Sequence, residues 1–283
     1  MEDAIVELIR KAVTDLPPDV VKKLEEARKR EEGVARTQIE AILENIRLAR
    51  EEAKPICQDT GIQTFYVDVG ADFPYRGSIE KAIVGAVRRA TAEVPLRPNC
   101  IDVLTGKNSG DNTGDYVPYI NWRLCDGSDA VIWALPKGGG SENMCALGML
   151  RPGLGVGGIK KFVVDHVMWA GARPCPPIIV GLGLGGGADL SLKIAKRALL
   201  RPLNSRHPRP EIARLERELL DAINATGIGP MGLGGKTTAL EVVIECAHRH
   251  PASLPVGIVT QCWADRRAKV TIHEDGSYVL EGE

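Results

Sequence analysis

The chain opens with apolar residues at helical spacing. In IEAILENI at 39–46, the apolar positions follow the i, i+3, i+4, i+7 rule, and charged residues fill the gaps. Pro55 ends this pattern, because proline cannot continue a helix. The sequence therefore predicts a helical N-terminal region over residues 1–50.

Patterns typical of strands and turns follow. TFYVDVG at 64–70 alternates and is rich in aromatic and β-branched residues, which favours a strand. Asp126-Gly127 separates YINWRLC from AVIWALP, and a second Asp-Gly lies within TIHEDGSYVL near the C-terminus. Each pair predicts a hairpin. Ser78 is predicted to cap a helix that begins at Ile79.

Glycine dominates from residue 137 onward, in the runs KGGGSEN, RPGLGVGG, GLGLGGG and GIGPMGLGG. Apolar spacing predicts helices after the third run (Leu190, Ile194, Ala198) and the fourth (Ala239, Leu240, Val243, Ile244). No repeat or linker divides the chain. We therefore predict one domain over residues 1–283, of mixed α/β or α+β class: a helical N-terminus, then a mixed sheet with antiparallel hairpins and Gly-rich loops.

Composition excludes several classes of partner. With 36 Lys and Arg against 37 Asp and Glu, the net charge is −1, so no cationic surplus exists to bind nucleic acid. The apolar stretch at 178–184 is far shorter than the roughly 20 residues that span a bilayer. The first residues mix acids and bases, unlike a signal or transit peptide. We expect a cytoplasmic protein that binds neither nucleic acid nor membrane.

Three motifs suggest ligands. GLGLGGG fits G-x-G-x-x-G but lacks the acidic residue expected about 20 positions later, which favours a strand-to-helix turn over a dinucleotide site. GPMGLGGKTT does not fit the phosphate-binding loop, because the position that requires its first glycine is occupied by Pro230. The alternative for this motif is a helix N-terminus that binds an anion. CAHRH at 246–250 lacks a second ligand pair for zinc and is read as solvated histidines near a helix end.

The seven cysteines contain no CxxC pair, and a chain of this class needs no disulfides. Three of them, Cys57, Cys175 and Cys262, lie beside turns or strand ends, where ligands usually bind. The other four fall in apolar or helical patterns typical of buried thiols. Three loop thiolates could hold an iron–sulfur cluster, although their spacing matches no local cluster signature.

CQDTG at 57–61 resembles the iron–sulfur hydro-lyases of the class I fumarase and L-tartrate dehydratase family, in their α subunit or N-terminal domain. Further matching phrases are LRPN, KGGGSEN, RPCPP, GIGPMGLGGKTTALEV, RHPASLPV and QCWADRR, in the family's order from about residue 50 to 270. The resemblance implies a [4Fe-4S] cluster held by Cys57, Cys175 and Cys262, with one open iron that acts as a Lewis acid.

The resemblance also implies roles for the residues around the cluster. Asp59 is the candidate acid/base group, or the residue that orients it. Arg97 is expected to bind a substrate carboxylate, with Gln58, the N–H of Gly140 and His250 as further substrate contacts. Without the resemblance, Asp59 would be read as an Asx turn and Arg97 as part of a surface ion pair.

Single-chain members of this family carry a second domain that supplies further substrate contacts. This chain stops at Glu283, so we expect the α subunit of a hetero-oligomer that acts only with a β subunit. The expected reaction is reversible hydration of fumarate to L-malate, a step of the tricarboxylic acid cycle. L(+)-tartrate dehydration is the alternative within the family, and a nucleotide-binding module using the Gly runs is the rival from another class.

Overall fold

A computed structural model describes residues 1–281. The helices are α1 (Glu2–Thr14), α2 (Pro18–Arg30), α3 (Gly33–Glu51), α4 (Ile79–Glu93), α5 (Gly139–Glu142), α6 (Gly155–Ala170), α7 (Ala188–Ala198) and α8 (Pro210–Asn224). The strands are β1 (Ile62–Gly70), β2 (Tyr119–Cys125), β3 (Ala130–Lys137), β4 (Ala146–Leu150), β5 (Ile178–Gly186), β6 (Ala239–Arg249), β7 (Leu254–Gln261), β8 (Ala268–Ile272) and β9 (Tyr278–Leu280). The predicted mixed class with a helical N-terminus is confirmed.

The chain divides into two compact units. The first contains Met1–Pro17, Asn45–Gly139 and the residues from Arg266 onward, and the second contains Pro18–Glu44 and Gly140–Asp265. This division into compact units does not test whether residues 1–283 form one domain, so the single domain stays a prediction. Among the described residues, no helix has the length and apolar character needed to cross a membrane.

The first unit is built on a sheet of order β2-β1-β3-β8-β9. One face of this sheet carries Phe65, Val67 and Ile132, which pack with the apolar sides of α1 and α4 in a single core. Those helices present apolar residues every three or four positions, so each buries one stripe and leaves its charged side in water. Burying this apolar surface is what holds the helices on the sheet.

The second unit is built on a sheet of order β4-β7-β5-β6. Its core joins β5, β6 and β7 to helices α6 and α8 through residues such as Val180, Val242 and Leu219. β5 runs parallel to β6 and antiparallel to β7. The start of β5 and the end of β7 therefore lie side by side, which matters for the cysteines described below.

The predicted hairpin at Asp126-Gly127 is wrong. β1 lies between β2 and β3, pairing parallel with β2 and antiparallel with β3. The turn passes over the end of β1, where the carbonyl of Gly127 accepts the N–H of Asp72 at 3.0 Å. The hairpin at the C-terminus is confirmed, since β8 and β9 pair antiparallel.

The helix predicted after the fourth Gly run is also wrong, because residues 239–249 form strand β6. The first six residues of β6 are all buried, so no alternation of apolar and polar residues marks it as a strand. Cys246 and His248 therefore lie on a strand, and His250 follows its end rather than that of a helix. The helices α7 and α4 form as predicted, although Ser78 makes no side-chain capping hydrogen bond.

Candidate active site

The CQDTG segment lies in the first unit, between the end of α3 and the start of β1. Gly61 has φ +76°, and a Cβ there would lie 2.7 Å from the backbone of Lys137, so only glycine fits this turn. The N–H of Gly61 donates to Asp59 Oδ1 at 2.9 Å. This is the Asx turn that the sequence suggested as the structural role of Asp59.

Asp59 also makes contacts beyond its own turn. The N–H of Gly139, in the KGGGSEN segment, donates to Asp59 Oδ2 at 2.8 Å. The Nη1 atom of Arg266, a residue only 1% exposed, donates to the Asp59 carbonyl at 2.7 Å. The carboxylate and the main chain of Asp59 are thus held by residues 80 and 207 positions away in the sequence.

Sequence reasoning missed Arg266. Its motif, QCWADRR, was noted for the cysteine alone. Within the described part of the chain, the buried Nε of Arg266 has no hydrogen-bond partner. A buried guanidinium is costly unless it is well paired, and the hydrogen bond to the Asp59 carbonyl offsets part of that cost. Only the fold could reveal this contact, because 207 positions separate the two residues.

Thr60 ties the CQDTG segment to the LRPN segment. Its hydroxyl accepts the N–H of Arg97 at 3.0 Å and the side-chain amide of Asn99 at 3.2 Å. Asn112 secures the same loop, since its side-chain amide donates to the Arg97 carbonyl at 3.1 Å. Cys57, Gln58, Asp59 and Arg97 are therefore brought to one place in the first unit.

The side chain of Arg97 is exposed. In residues 1–281 its guanidinium forms no ion pair and no hydrogen bond, so the surface ion pair considered from sequence is absent there. A guanidinium held by its main chain but without an acidic partner is suited to binding a carboxylate through two parallel hydrogen bonds. The side chain of Gln58 is exposed as well.

Cys175 and Cys262 lie together in the second unit. Cys175 precedes β5 and Cys262 follows β7, and the N–H of Trp263 donates to the Cys175 carbonyl at 3.3 Å. Both thiols are half-buried. Cys175 has φ +54°, which is uncommon outside glycine and is often retained at functional sites. Cys57, in the first unit, is half-buried as well.

The fourth Gly run forms a loop beside Cys175 and does not begin a helix. The N–H of Met231 donates to the carbonyl of Pro176 at 2.8 Å. The carboxylate of Glu31 accepts the N–H of Lys236 at 2.9 Å, and Glu32 pairs with the Lys236 ammonium at 3.1 Å. The predicted anion-binding helix N-terminus is therefore wrong, because no helix follows and carboxylates already contact these donors.

The third Gly run, GLGLGGG, contains glycines because a larger residue would clash with the helix that packs on it. A Cβ on Gly183 would lie 1.9 Å from the carbonyl oxygen of Ser191 in α7, and one on Gly181 would lie 2.3 Å from that of Ala195. These glycines let α7 approach β5 closely. The strand-to-helix interpretation of GLGLGGG is therefore the better one.

The two remaining predicted residues, Gly140 and His250, belong to the second unit. Gly140 lies in the short helix α5, close to the loop before Cys175, since a Cβ there would lie 3.6 Å from the carbonyl oxygen of Arg173. His250 follows β6, whose Arg249 pairs with Gly186 at the far end of β5 from Cys175. β5 is nine residues long, so this separation is roughly 25–30 Å. The placement of His250 does not bring it to the two cysteines, and its Nδ1 accepts the N–H of Ala252 at 3.1 Å.

Among the described residues, no three His, Cys, Asp or Glu side chains are grouped to hold a metal ion. A four-iron cluster does not require such a group, because each thiolate binds a separate iron and the thiolates need not converge on one point.

Comparison with known proteins identifies the family. The family model described as Fumarate hydratase (Fumerase) matches residues 2–271. The chain belongs to the fumarate hydratase family. The resemblance drawn from CQDTG and the accompanying motifs is thereby confirmed.

This member of the fumarate hydratase family is also similar to several curated proteins. It is 50% identical to a protein of Methanocaldococcus jannaschii named "Putative L(+)-tartrate dehydratase subunit alpha", over 95% of this chain and 96% of the relative. It is 37% identical to the L(+)-tartrate dehydratase subunit alpha of Escherichia coli and 36% identical to that of Shigella sonnei, each over 93% of this chain and 87% of the relative. All these names are those of hydro-lyases, and the relatives are named as α subunits.

Proposed function

We propose that this chain is the α subunit of a [4Fe-4S] hydro-lyase that reversibly hydrates fumarate to L-malate. The observation that carries the proposal is the hydrogen bond from the Arg97 N–H to the Thr60 hydroxyl, which joins the loop of Asp59 to the loop of Arg97, whose guanidinium has no partner among residues 1–281. A dicarboxylate needs a cationic anchor, and the elimination of water needs a proton acceptor near the adjacent carbon. The two joined loops offer one residue for each.

The cysteines fit an iron–sulfur cluster. Cys57, Cys175 and Cys262 are all half-buried and lie outside helices and strands, so their thiols are accessible. Cys145 shares both features, so the choice of these three rests on the family motifs around them. The main-chain hydrogen bond between Cys175 and Trp263 holds two of the three loops together. We propose these three thiolates as the cluster ligands. When bound, the cluster would supply an open iron that acts as a Lewis acid and makes hydroxide a feasible leaving group near neutral pH.

The chain's own residues bind the substrate and move its proton. Arg97 binds one substrate carboxylate with its planar guanidinium, which fixes the direction of the carbon chain. Gln58 donates to another substrate oxygen, and the N–H of Gly140 is proposed for the same purpose. The Asp59 oxygens each accept one main-chain N–H, which leaves a lone pair on each to accept the substrate's proton or to orient the group that does.

A partner subunit completes this proposal. The relatives are named as α subunits, and a diacid bound at one carboxylate by Arg97 needs a second cationic group at the other. We propose that a β subunit supplies it, so that activity requires both chains in a hetero-oligomer.

A second candidate, dehydration of L(+)-tartrate, is favoured by the names of the relatives at 36–50% identity. Tartrate carries one hydroxyl more than malate, while the anchor and the eliminated group stay the same. The residues that recognise that extra hydroxyl decide between the two substrates.

The deciding experiment purifies the chain with its partner subunit under anaerobic conditions and measures turnover of fumarate and of L(+)-tartrate. Rapid fumarate hydration supports the first candidate, and tartrate loss without fumarate hydration supports the second. An iron-loaded complex that turns over neither acid would contradict the hydro-lyase proposal. Tight ATP or NAD binding by a colourless protein would favour the nucleotide-binding alternative.

A further inference from the structure

The fourth Gly run and the residues that follow it, GIGPMGLGGKTT at 227–238, form a loop to which the proposed reaction gives no role. This 227–238 loop folds back on itself. Gly229 has φ +69°, and a Cβ there would lie 2.0 Å from the carbonyl oxygen of Gly234, so only glycine fits where the two arms of the loop meet. Close contact between main chains therefore closes the loop.

The 227–238 loop contacts the chain on each side of Cys175. On the N-terminal side, a Cβ on Gly232 would lie 2.3 Å from the Cβ of Ala172, so the loop packs directly on that residue. On the C-terminal side, the N–H of Met231 donates to the carbonyl of Pro176 at 2.8 Å. The loop therefore brackets the residue that carries the thiol.

The conformation of Cys175 requires such support. Its φ of +54° lies in the left-handed region, which costs free energy for a residue that has a Cβ. The N–H of Cys175 donates to the carbonyl of Ala172 at 3.0 Å, so the turn itself supplies one hydrogen bond. A strained backbone persists only where the surrounding structure enforces it. Because the backbone sets the direction of the Cα–Cβ bond, the contacts of the 227–238 loop also fix the direction of the thiol.

Glu31 anchors the 227–238 loop from outside. Glu31 is 3% exposed, and its two carboxylate oxygens lie 2.9 and 3.0 Å from the main-chain nitrogen of Lys236, whose N–H they accept. A Cβ on Gly235 would lie 2.8 Å from Glu31 Oε2, so the carboxylate rests against the main chain of the loop. Within residues 1–281 Glu31 forms no ion pair. A buried carboxylate is costly unless its oxygens accept hydrogen bonds, and the loop provides the donor.

The position of Glu31 at the end of α2 does not by itself explain a carboxylate. The N–H of Glu31 donates to the carbonyl of Ala27 at 3.0 Å, which places Glu31 at the C-terminal end of the helix. Helix C-termini favour cations, and the last turn of α2 accordingly carries Arg28, Lys29 and Arg30. The contact with the loop accounts for an acidic residue directly after them.

We propose that Glu31 is a positioning residue for the thiol of Cys175. Its carboxylate holds the 227–238 loop, and the loop holds Cys175 in the conformation that we assign to a cluster ligand. The inference rests on the proposed function for the use of the thiol, whereas the contacts that fix the thiol's direction do not depend on it. Removing the carboxylate should free the Cys175 segment while the second unit stays folded.

Thiol labelling of the iron-free, full-length chain tests this proposal. The chain is treated with iodoacetamide under native conditions, and mass spectrometry gives the labelling rate of each cysteine separately. Glu31→Ala should raise the rate at Cys175 by about tenfold, because losing a hydrogen bond to a carboxylate eases local opening of the loop by about that factor. The rate at Cys145, a half-buried thiol outside the bracketed segment, should change by less than about twofold.

Glu32→Gln is the matched control. Glu32 is the next residue, its side chain is 86% exposed, and it pairs with the Lys236 ammonium at 3.1 Å, a surface contact that contributes little. This variant should label like wild type. Glu31→Gln keeps one acceptor oxygen and should label Cys175 at an intermediate rate, and it decides the question if circular dichroism shows that Glu31→Ala is unfolded. Equal rates at Cys175 in the Glu31 variants and in Glu32→Gln would overturn the proposal, as would faster labelling of Cys175 and Cys145 alike.

Cluster stability separates this proposal from the proposed function. In the complex purified anaerobically with the partner subunit, Glu31→Ala should lose the cluster's visible absorption in EDTA about tenfold faster than wild type or Glu32→Gln. Loss at the wild-type rate despite fast labelling of Cys175 would refute the role assigned to Glu31. A wild-type complex without iron would instead contradict the proposed function, and the labelling rates would still decide whether Glu31 positions the thiol.

Discussion

Replacing Thr60 with valine should separate the two loops that carry Asp59 and Arg97. Thr60 is fully buried, and valine keeps its shape while removing the hydroxyl. The N–H of Arg97 then loses its acceptor, which costs about 1–3 kcal/mol for a buried donor left unpaired. The amide of Asn99 loses less, because it also donates to the carbonyl of Gly61 at 3.2 Å.

The expected loss is therefore about 2 kcal/mol of unfolding free energy, or roughly thirtyfold in the folding equilibrium. Urea unfolding followed by circular dichroism measures it as a lower midpoint with an unchanged slope. In the assembled enzyme, KM for the diacid should rise by about tenfold because Arg97 is no longer held in place.

Thr60→Ser is the matched control, since it keeps the hydroxyl and loses only a methyl group. It should retain the KM of wild type. If Thr60→Val and Thr60→Ser unfold at the same urea concentration and show the same KM, the hydroxyl does not hold the loops together and the reasoning is refuted.

Three further predictions concern Arg97, the proposed cluster ligands and the half-buried thiol of Cys246. In the assembled enzyme, Arg97→Ala should raise KM by about a hundredfold while leaving the cluster's visible absorption intact, and loss of that absorption would instead assign Arg97 a structural role. Cys175→Ser should abolish the cluster's visible absorption in anaerobically purified protein. Cys100→Ser, which changes a buried thiol, should preserve this absorption. A coloured Cys175→Ser protein would contradict the ligand assignment. Burial raises the pKa of Cys246 from its ordinary 9.0 to about 11, so the unfolded chain loses this proton first and stability should fall between those pH values. Cys246→Ala should reduce that fall in thermal unfolding scans, and an identical pH profile for both proteins would count against it.

The chain's local patterns predicted much of the fold. Periodicity located α3, α4 and α7, because each of these helices buries one side and the pattern records which side. β1 was located by its aromatic and β-branched residues, although every residue after Ile62 is buried. β6 was misread as a helix because its first six residues are buried, so its apolar run carries no period. The turn at Asp126-Gly127 was recognised, but a turn signal does not tell whether another strand inserts between its arms.

For the candidate site, the sequence by itself supplied the residues proposed to carry the chemistry. The motif CQDTG placed Cys57, Gln58 and Asp59 together, and LRPN supplied Arg97, because short motifs preserve local geometry. Only the tertiary structure decided that Thr60 joins the two motifs, that buried Arg266 supports Asp59, and that His250 lies at the far end of the sheet from Cys175. These relations join residues that are distant in sequence, and they depend on strand order and register, which no local pattern of hydrophobic and polar positions records.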